Sequence, residues 1–299
     1  MPDSTILHFK KNWVLRSILQ QQPKSNLIFY KTDEEIERIR EACLLVCKVL
    51  AYIGANIRPG MSGAVLDAQA EEIIRDHGAV PAFKGYRGFP ATLCVSANEV
   101  VVHGIPSEVI FKDGDIVSVD CGVFLNGFHG DAAYTFAIGD VPEKVMQLLR
   151  VTKTSLYKAI ECAVHGKRMG DLSFAIQHYV EREFGYSVVR ELVGHGIGKS
   201  LHEDPEVPNY GRRGNGVMLK DGLVIAIEPM INLGRRDVKQ SKDGWTIFTK
   251  DLQPSAHYEH TIAVRKTTAD ILSDHRPIEA AIEKNPELQM VELMEEELV

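Results

Sequence analysis

One stretch, residues 115–139 (DIVSVDCGVFLNGFHGDAAYTFAIG), limits the possible folds more than any other part of the chain. Apolar and polar residues alternate over 117–122, and residues 132–138 read as a second strand. Between them, Asn126-Gly127 is the strongest short signal for a two-residue hairpin turn. The sequence therefore predicts a long antiparallel hairpin.

The predicted hairpin brings two aspartates together. A turn centred on Asn126-Gly127 places Asp120 opposite Ala133, and Asp131 projects from the same side of the sheet as a diagonal neighbour. Such neighbours have Cα atoms roughly 7–8 Å apart, close enough for two carboxylates to reach one ion or two adjacent ions. Buried carboxylates repel each other and lose hydration, a cost that a metal ion removes. The alternative is that both aspartates lie on a solvated face.

Further candidate metal ligands stand where apolar strands end or turn. His195 lies between glycines in LVGHGIGKSLHEDP, Glu228 ends the apolar run of LVIAIEPM, and Glu259 enters that of AHYEHTIAV. A single residue of this kind is more often structural. Together with the two aspartates they make four carboxylates and a histidine in apolar settings, which solvated faces explain poorly.

A repeated order of elements indicates a duplicated α+β domain over about residues 26–265. Thr32 and Glu35 form a capping box at the start of the first helix. Helices are predicted over 32–53, 62–78, 142–166 and 171–185, with strands before residue 138 and around 187–192, 223–230 and 258–264. Strands would fill the centre and helices would lie on one side.

Charge and cysteine usage exclude several classes of protein. Forty-one acidic and 34 basic residues give a net charge of −7, which opposes broad nucleic-acid binding, so we expect no DNA partner. The five cysteines are scattered without a CxxC pair, and Cys43 and Cys47 are interpreted as core residues. No uncharged apolar run approaches the roughly 20 residues that span a membrane, and no secretory core begins the chain. We expect a cytoplasmic protein without membrane contact.

The two ends of the chain differ from this body. Residues 1–29 are predicted to form an extended N-terminal arm, and the folded domain covers 30–265. Residues 266–299 form an acidic C-terminal extension, predicted either as a weakly ordered tail or as a short amphipathic helix around 288–294.

Several segments resemble those of the type I methionine aminopeptidases. VVHGIP around His103, VDCGVFLNGFHGD, GHGIGKSLHEDP, IEPM and YEHTIAV occur in the family's order and at compatible spacings. The resemblance covers residues 30–265 and implies the pita-bread fold of creatinase and aminopeptidases, an α+β fold of duplicated halves around a central antiparallel sheet. No cysteine/histidine cluster precedes this region, so a bacterial or organellar form is indicated.

The resemblance implies a site of two divalent cations. Carried over by position, the ligands would be Asp120, Asp131, His195, Glu228 and Glu259, with Asp131 and Glu259 bridging. Oxygen ligands with one imidazole suit Mn²⁺, Fe²⁺, Co²⁺ or Zn²⁺ and select weakly among them. Two ions roughly 3.5–4 Å apart lower the pKa of a shared water and polarise the scissile carbonyl. Glu228 is then the candidate general base.

His103 and His202 match the family's two catalytic histidines that are not ligands. His202 would donate to the substrate carbonyl or the developing oxyanion, and His103 would contact the substrate's backbone nitrogen or the proton-transfer path. The other histidines near the motifs, His129, His257 and His260, are predicted to stabilise turns or to be exposed.

The resemblance also implies an apolar pocket for an N-terminal methionine. Besides His103 and His202, its predicted lining is Tyr86, Phe89, Cys94, Leu201 and Trp245. The implied activity is removal of the initiator methionine from nascent polypeptides whose second residue is small. We expect the protein to be a monomer. Because nascent chains emerge at the ribosome, the loop 234–244, with four bases and two acids, is a hypothesis for ribosome docking.

Two alternatives stay open at this point. A proline-directed aminopeptidase or dipeptidase shares the fold and a similar ligand set, but such enzymes usually carry a substantial domain ahead of the catalytic one, and only about thirty residues precede the first predicted helix here. A non-catalytic binding protein of the same fold should have lost ligands, whereas all five are present.

Overall fold

A computed structural model describes residues 27–294, so most of the predicted N-terminal arm lies outside the described residues. The α-helices are α1 Asp33–Asn56, α2 Gly63–Asp76, α3 Glu143–Glu161, α4 Met169–Gln177 and α5 Arg276–Ile282. A 3₁₀ turn covers Tyr86–Gly88, and α4 continues into a π-helical turn, His178–Glu183. The strands of the first half are β1 Val80–Pro81, β2 Leu93–Ala97, β3 Val100–Val102, β4 Ile116–Leu125 and β5 Phe128–Ile138. Those that follow are β6 Ser187–Val188, β7 Val193–Gly196, β8 Glu203–Pro208, β9 Val224–Ile227, β10 Met230–Asn232, β11 Val238–Gln240, β12 Ile247–Thr249, β13 Ser255–His257, β14 His260–Ala263, β15 Asp270–Ile271 and β16 Leu288–Gln289.

The predicted hairpin is confirmed with its register. Strands β4 and β5 pair antiparallel, and Asp120 lies opposite Ala133. Asn126 and Gly127 have φ values of 51° and 86°, the left-handed conformations that a type I′ turn requires at both central positions. The hairpin is the centre of a five-stranded sheet of order β1-β4-β5-β16, with β2 also paired to β4.

Helix α1 packs across this hairpin. Its N-terminus has the predicted capping box, since Thr32 accepts from the Glu35 amide and the Glu35 carboxylate accepts from the Thr32 amide. A Cβ on Gly130 of β5 would lie 2.4 Å from the backbone nitrogen of Cys43, so a glycine there allows the helix and strand backbones to touch. Cys43 and Cys47 are fully buried at this contact, which confirms them as core residues.

The second half repeats the arrangement with its own helices and sheet. Strands β15-β14-β9-β7-β8 form a second five-stranded sheet, and α3 contacts β9, β10 and β13. Two three-stranded sheets, β13-β10-β6 and β11-β12-β3, complete the set. The predicted α+β fold class is confirmed, and the strands at its centre are divided among several antiparallel sheets.

Buried hydrogen bonds join the two halves. The Thr261 hydroxyl of β14 donates to the Asp131 carbonyl of β5 over 2.7 Å, and the Glu259 amide donates to the Ala133 carbonyl over 3.0 Å. Farther along β5, the Thr135 hydroxyl donates to the His257 carbonyl over 2.6 Å. Strands distant in sequence are thereby held side by side along β5.

The C-terminal segment is part of this core as far as residue 294. Strand β16 pairs with β5, and Val291 is 1% exposed. The buried Lys153 ammonium donates to the Val291 carbonyl and pairs with Glu279, each over 2.7 Å. The prediction of a weakly ordered tail is therefore wrong for residues 266–294, and a strand stands where a helix was the alternative. Local composition did not reveal the unpaired edge of β5 that this segment covers.

Within residues 27–294, no helix combines the length and the apolar character needed to cross a membrane.

Candidate metal centre and active-site cleft

The five predicted ligand side chains line one cavity between the halves. Ligand atoms of Asp131, His195 and Glu259 all lie within 4.8 Å of one another. His195 Nε2 is 3.8 Å from Asp131 Oδ2 and 3.7 Å from Glu228 Oε1. Asp120 is on the neighbouring strand to Asp131. We call these five residues the floor of the cleft.

Each floor residue is placed by a different strand or strand end. Asp120 lies in β4 and Asp131 in β5, while His195 lies in β7. Glu228 follows the last residue of β9, and Glu259 stands between β13 and β14. The long-range hydrogen bonds along β5 fix Glu259 beside Asp131, which is why residues about 130 positions apart in sequence converge.

Glycines on both sides of His195 permit its position. A Cβ on Gly194 would lie 2.3 Å from the Ala226 carbonyl oxygen of β9, and one on Gly196 would lie 2.4 Å from the Asp204 carbonyl oxygen of β8. Neither approach is possible for a larger residue without moving backbone. The glycines of the GHG motif therefore let β7 fit between its two neighbours with the imidazole pointing into the cleft.

The floor carboxyl groups are unusually hard to ionise in the protein alone. Burial raises the pKa of Asp120 to about 7. Burial first, and then the neighbouring carboxylates, raise the pKa of Asp131, Glu228 and Glu259 well above their ordinary values. Asp131 and Glu259 are 3% and 2% exposed, so water offers them little compensation.

Three carboxylate oxygens of the floor have no hydrogen-bond partner among the described residues. Asp120 Oδ1, Asp131 Oδ1 and Glu259 Oε1 are buried and accept no hydrogen bond within the described part of the chain. His195 Nδ1 donates to the Gly196 carbonyl over 2.9 Å, which leaves a lone pair on Nε2. Burial lowers the pKa of His195 to about 4 and so keeps this imidazole neutral.

These observations fit divalent cations. The Nε2 lone pair of His195 faces the oxygens of Asp131 and Glu228, and acceptors facing one another attract only through a cation between them. Four carboxylates with one neutral imidazole form a donor set for first-row divalent metals. The residues present therefore fit the metal site that the sequence predicts.

An apolar pocket adjoins the floor. The predicted pocket residues that line the cavity are Tyr86, Phe89, Cys94, His103, Leu201, His202 and Trp245. Phe89 meets Trp245 edge to face with ring centroids 5.2 Å apart, and Phe89 and Leu201 are 4% and 2% exposed. The cavity therefore combines a charged floor with an apolar wall.

His202 and His103 lie on this wall and do not belong to the group formed by Asp131, His195 and Glu259. His202 opens to the cavity and lies over His195 with ring centroids 4.2 Å apart. His103 has a left-handed backbone, with φ of 57°, and burial lowers its pKa to about 4. A left-handed non-glycine residue beside a cluster of titratable groups is typical of functional positions.

The predictions for two other histidines are wrong. His257 and His260 are each 1% exposed and lie in β13 and β14 rather than in turns. His257 Nε2 is 3.7 Å from Glu228 Oε2. His260 contacts the Ser273 hydroxyl at 2.8 Å. Both were misplaced because their burial comes from the pairing of β13 and β14 with other strands, which local sequence does not report.

The prediction for His129 is also wrong, because this residue lies in β5 and not in a turn, and it does not line the cavity. It is half-buried in the second strand of the hairpin, its amide donates to the Gly198 carbonyl over 2.8 Å, and its ring packs against Phe124. It links the hairpin to the loop after β7.

Several residues that line the cavity were not predicted from the sequence. Phe83 and Arg87 are close in sequence to the predicted Tyr86, and this proximity in FKGYRGFP was the available signal. Leu192, Gln240 and Ile247 come from the second half and from β11 and β12, and nothing in their local sequence separates them from ordinary strand residues. We call the segment Tyr86–Gly88 the rim of the cleft.

Comparison with known proteins agrees with this geometry. The model of metallopeptidase family M24 matches residues 37–266. A methionine aminopeptidase from Clostridium acetobutylicum is 51% identical over 248 residues, which are 83% of this chain and 99% of that protein. The methionine aminopeptidase of Escherichia coli strain K12 is 44% identical over 82% of this chain and 94% of its own length.

Solved structures give the same result. The crystal structure of methionine aminopeptidase from Thermotoga maritima superposes with a TM-score of 0.81 at 44% identity, covering 83% of this chain and all of that one. Prolidase from Pyrococcus furiosus matches less well, with a TM-score of 0.67 at 25% identity over 83% of this chain and 66% of its own. The chain belongs to metallopeptidase family M24 and, within it, to the methionine aminopeptidases.

Proposed function

We propose that this metal-dependent peptidase removes the initiator methionine from nascent proteins and peptides whose second residue is small. The observation that carries the proposal is a floor of four carboxylates and a neutral histidine next to an apolar pocket in one cavity. Asp120, Asp131, His195, Glu228 and Glu259 would hold two cations, Mn²⁺, Fe²⁺, Co²⁺ or Zn²⁺. When bound, these ions supply a nucleophilic water at neutral pH and polarise the scissile carbonyl.

The remaining steps fall to side chains of the cleft. Glu228 would accept the proton of the attacking water on a carboxylate oxygen and deliver it to the leaving nitrogen. His202, which opens to the cavity beside His195, would donate to the carbonyl oxygen as it gains charge. His103 would contact the backbone nitrogen of the second residue.

The pocket wall would select the side chain that is removed. Tyr86, Phe89, Cys94, Leu201 and Trp245 offer apolar and polarizable surface, which suits the unbranched thioether of methionine. Because the cavity lies between the two halves of the domain, a bulky second residue would collide with its wall.

The substrate also suggests where the enzyme acts and what it meets there. Nascent chains arise in the cytoplasm, and we infer that the protein acts there as a monomer. The segment 234–244 includes β11, and its residues Gln240 and Gly244 line the cavity. Its four basic residues are exposed, which supports ribosome docking: Arg235, Arg236, Lys239 and Lys242. Glutamate at all four positions should abolish co-sedimentation with ribosomes, and unchanged co-sedimentation would reject the docking.

We further infer that the catalytic unit comprises residues 30–265. The family match over 37–266 supports these limits, and the C-terminal extension from residue 266 packs on that unit as far as residue 294.

A reconstitution assay tests the proposal. Metal-depleted protein is loaded with each of the four metals in turn and given Met-Gly-Gly, Met-Leu-Gly and Leu-Pro-Gly. Methionine release from the first peptide, with little product from the other two, is expected with at least one metal. Preferential cleavage of the proline peptide would instead support the proline-directed alternative, and no release with any metal would reject the proposal.

A further inference from the structure

A buried ion pair lies behind the loop that carries His202. The Lys31 ammonium and the Glu203 carboxylate are 2.5 Å apart, and their side chains are only 5% and 6% exposed. Lys31 lies just before the N-cap residue of α1, and Glu203 is the first residue of β8. The pair therefore joins the start of α1 to the residue that directly follows His202.

Each partner of the pair is also tied to nearby backbone. The Lys31 ammonium donates to the Phe29 carbonyl over 3.2 Å, and the Lys31 amide donates to the Gly222 carbonyl over 2.7 Å. The second oxygen of Glu203 accepts from the Ser200 amide over 3.1 Å. The Glu203 carboxylate is therefore bonded both to the start of α1 and to the loop that precedes it.

The loop 197–202 follows the surface of this pair. A Cβ on Gly198 would lie 2.6 Å from Lys31 Cε and 2.7 Å from Glu203 Oε1, so the glycine lets the loop backbone approach both side chains. The Gly198 carbonyl in turn accepts from the His129 amide of β5 over 2.8 Å. The loop therefore packs directly on the pair, and displacement of the pair would displace the loop.

The loop presents two side chains to the cleft, Leu201 and His202, and both line the cavity. The His202 ring contacts the rings of His195 and Tyr86, with centroids 4.2 Å and 5.2 Å away. Ring contacts hold in several offset and tilted geometries, so they leave the imidazole some freedom. Its reach into the cavity therefore depends on where the backbone on either side of it is held.

A buried ion pair is suited to holding one arrangement. It adds little stability over apolar side chains of similar size, because both charges lose their hydration. Separating the partners, however, leaves an uncompensated charge in the interior, which disfavours any displaced arrangement. A catalytic group that is misplaced by about 1 Å can lose up to about a hundredfold in rate. Restraint of this kind is therefore significant one residue away from His202.

We propose that the ion pair of Lys31 and Glu203 positions His202, holding the loop 197–202 so that the imidazole can donate to the substrate carbonyl oxygen. Neither partner is among the described residues that line the cavity, so both are positioning residues. This inference rests on the proposed function, in which His202 stabilises charge as it develops. Because that interaction is strongest in the transition state, loss of the pair should lower kcat and leave KM nearly unchanged.

A double-mutant cycle on the metal-loaded enzyme tests the proposal, with Met-Gly-Gly as substrate. Lys31→Met and Glu203→Gln together remove both charges but keep similar side-chain lengths, and we expect kcat to fall about tenfold with KM within about twofold. His202→Ala alone should lower kcat by about two orders of magnitude. In that background the two substitutions should change kcat by less than about twofold, because the group that they displace is absent.

A second ion pair between the same loop and the start of α1 provides a matched control. Lys199 and Glu35 are 3.4 Å apart, and their side chains are 72% and 31% exposed. Lys199→Met with Glu35→Gln removes the same two charges, and glutamine can still serve in the capping box. Exposed pairs orient their partners weakly, so kcat should stay within about twofold of the wild type. A tenfold fall in this control would overturn the assignment to the buried pair.

Gly198→Ala perturbs the pair without removing a charge, since the added methyl would meet Lys31 Cε and Glu203 Oε1. It should lower kcat severalfold in the wild type and leave kcat unchanged in the His202→Ala background. This variant decides the matter if Lys31→Met with Glu203→Gln does not fold by circular dichroism.

Three results would overturn the proposal. They are a wild-type kcat in the variant without the buried charges, an equal fall in kcat with and without His202, and a wild-type kcat in His202→Ala, which would leave the pair no group to act through. In each case methionine release by the wild type would still support the proposed function. No release by the wild type with any metal would reject that function and the positioning role with it.

Discussion

At the floor of the cleft, Asp131 and Glu259 are almost fully buried, and strand pairing and hydrogen bonds between the two halves fix their backbones. At the rim, Arg87 is exposed on a short turn between two left-handed glycines. Burial makes ionisation of the floor carboxyl groups costly unless cations are bound, whereas the rim is open to solvent. The comparison indicates that the floor depends on long-range strand pairing, whereas the rim depends on a local turn.

The largest effect is expected at the floor. Glu228→Gln and Asp131→Asn keep the shape of each side chain but remove its negative charge. We expect each to lower kcat by about three orders of magnitude, because proton transfer or cation binding is lost. Both variants should remain folded by circular dichroism, since the wild-type carboxyl groups are costly to bury. Near-normal turnover in either would contradict its assigned role.

The glycines around His195 should control stability. A Cβ from Gly196→Ala would meet the Asp204 carbonyl oxygen at 2.4 Å, so β7 or β8 must shift. We expect a loss of about 1–3 kcal/mol in the free energy of unfolding, measured by urea titration, together with weaker metal binding. The control is Gly63→Ala, whose Cβ would meet a Val95 side-chain methyl at 3.2 Å, and it should cost less. Equal stability of the two variants would show that the floor tolerates displacement.

His257 tests whether buried groups behind the floor matter. Its Nε2 lies 3.7 Å from Glu228 Oε2, so the ring restricts the positions that this carboxylate can take. We expect His257→Ala to lower kcat about tenfold with little change in KM, and to weaken Mn²⁺ binding measured by calorimetry. His178→Ala, at a half-exposed histidine far from the floor, serves as the control. Unchanged kcat and metal affinity in His257→Ala would limit its role to packing.

The smallest effect is expected at the rim. Arg87→Gly removes the strain of the left-handed conformation, and we expect it to stabilise the protein by about 1 kcal/mol, or a few degrees in Tm. Arg87→Ala keeps a Cβ and should not share the gain. If the glycine and alanine variants have the same Tm, the left-handed backbone at Arg87 is not strained.

The sequence predicted the first half of the site at the level of single residues. The Asn126-Gly127 turn fixes the register of β4 and β5, so the positions of Asp120 and Asp131 follow from local rules. The capping box of α1 and the burial of Cys43 were predicted for the same reason, since helical spacing and end signals are local.

The second half of the site needed more than local rules. His195, Glu228 and Glu259 come from separate strands, and only the family resemblance placed them together before the structure did so. The burial of His257 and the docking of β16 depend on which sheet edges are free, and Arg87 depends on a turn conformation that its neighbours impose. These features arise from tertiary contacts, which periodicity and composition do not encode.

The central claim is that the floor holds two divalent cations. Anomalous diffraction from crystals of the Mn²⁺-loaded protein tests it most directly. The account predicts two peaks roughly 3.5–4 Å apart, with carboxylate oxygens of Asp131 and Glu259 between them and His195 Nε2 on one of them. Peaks elsewhere, or none within bonding distance of these side chains, would contradict it.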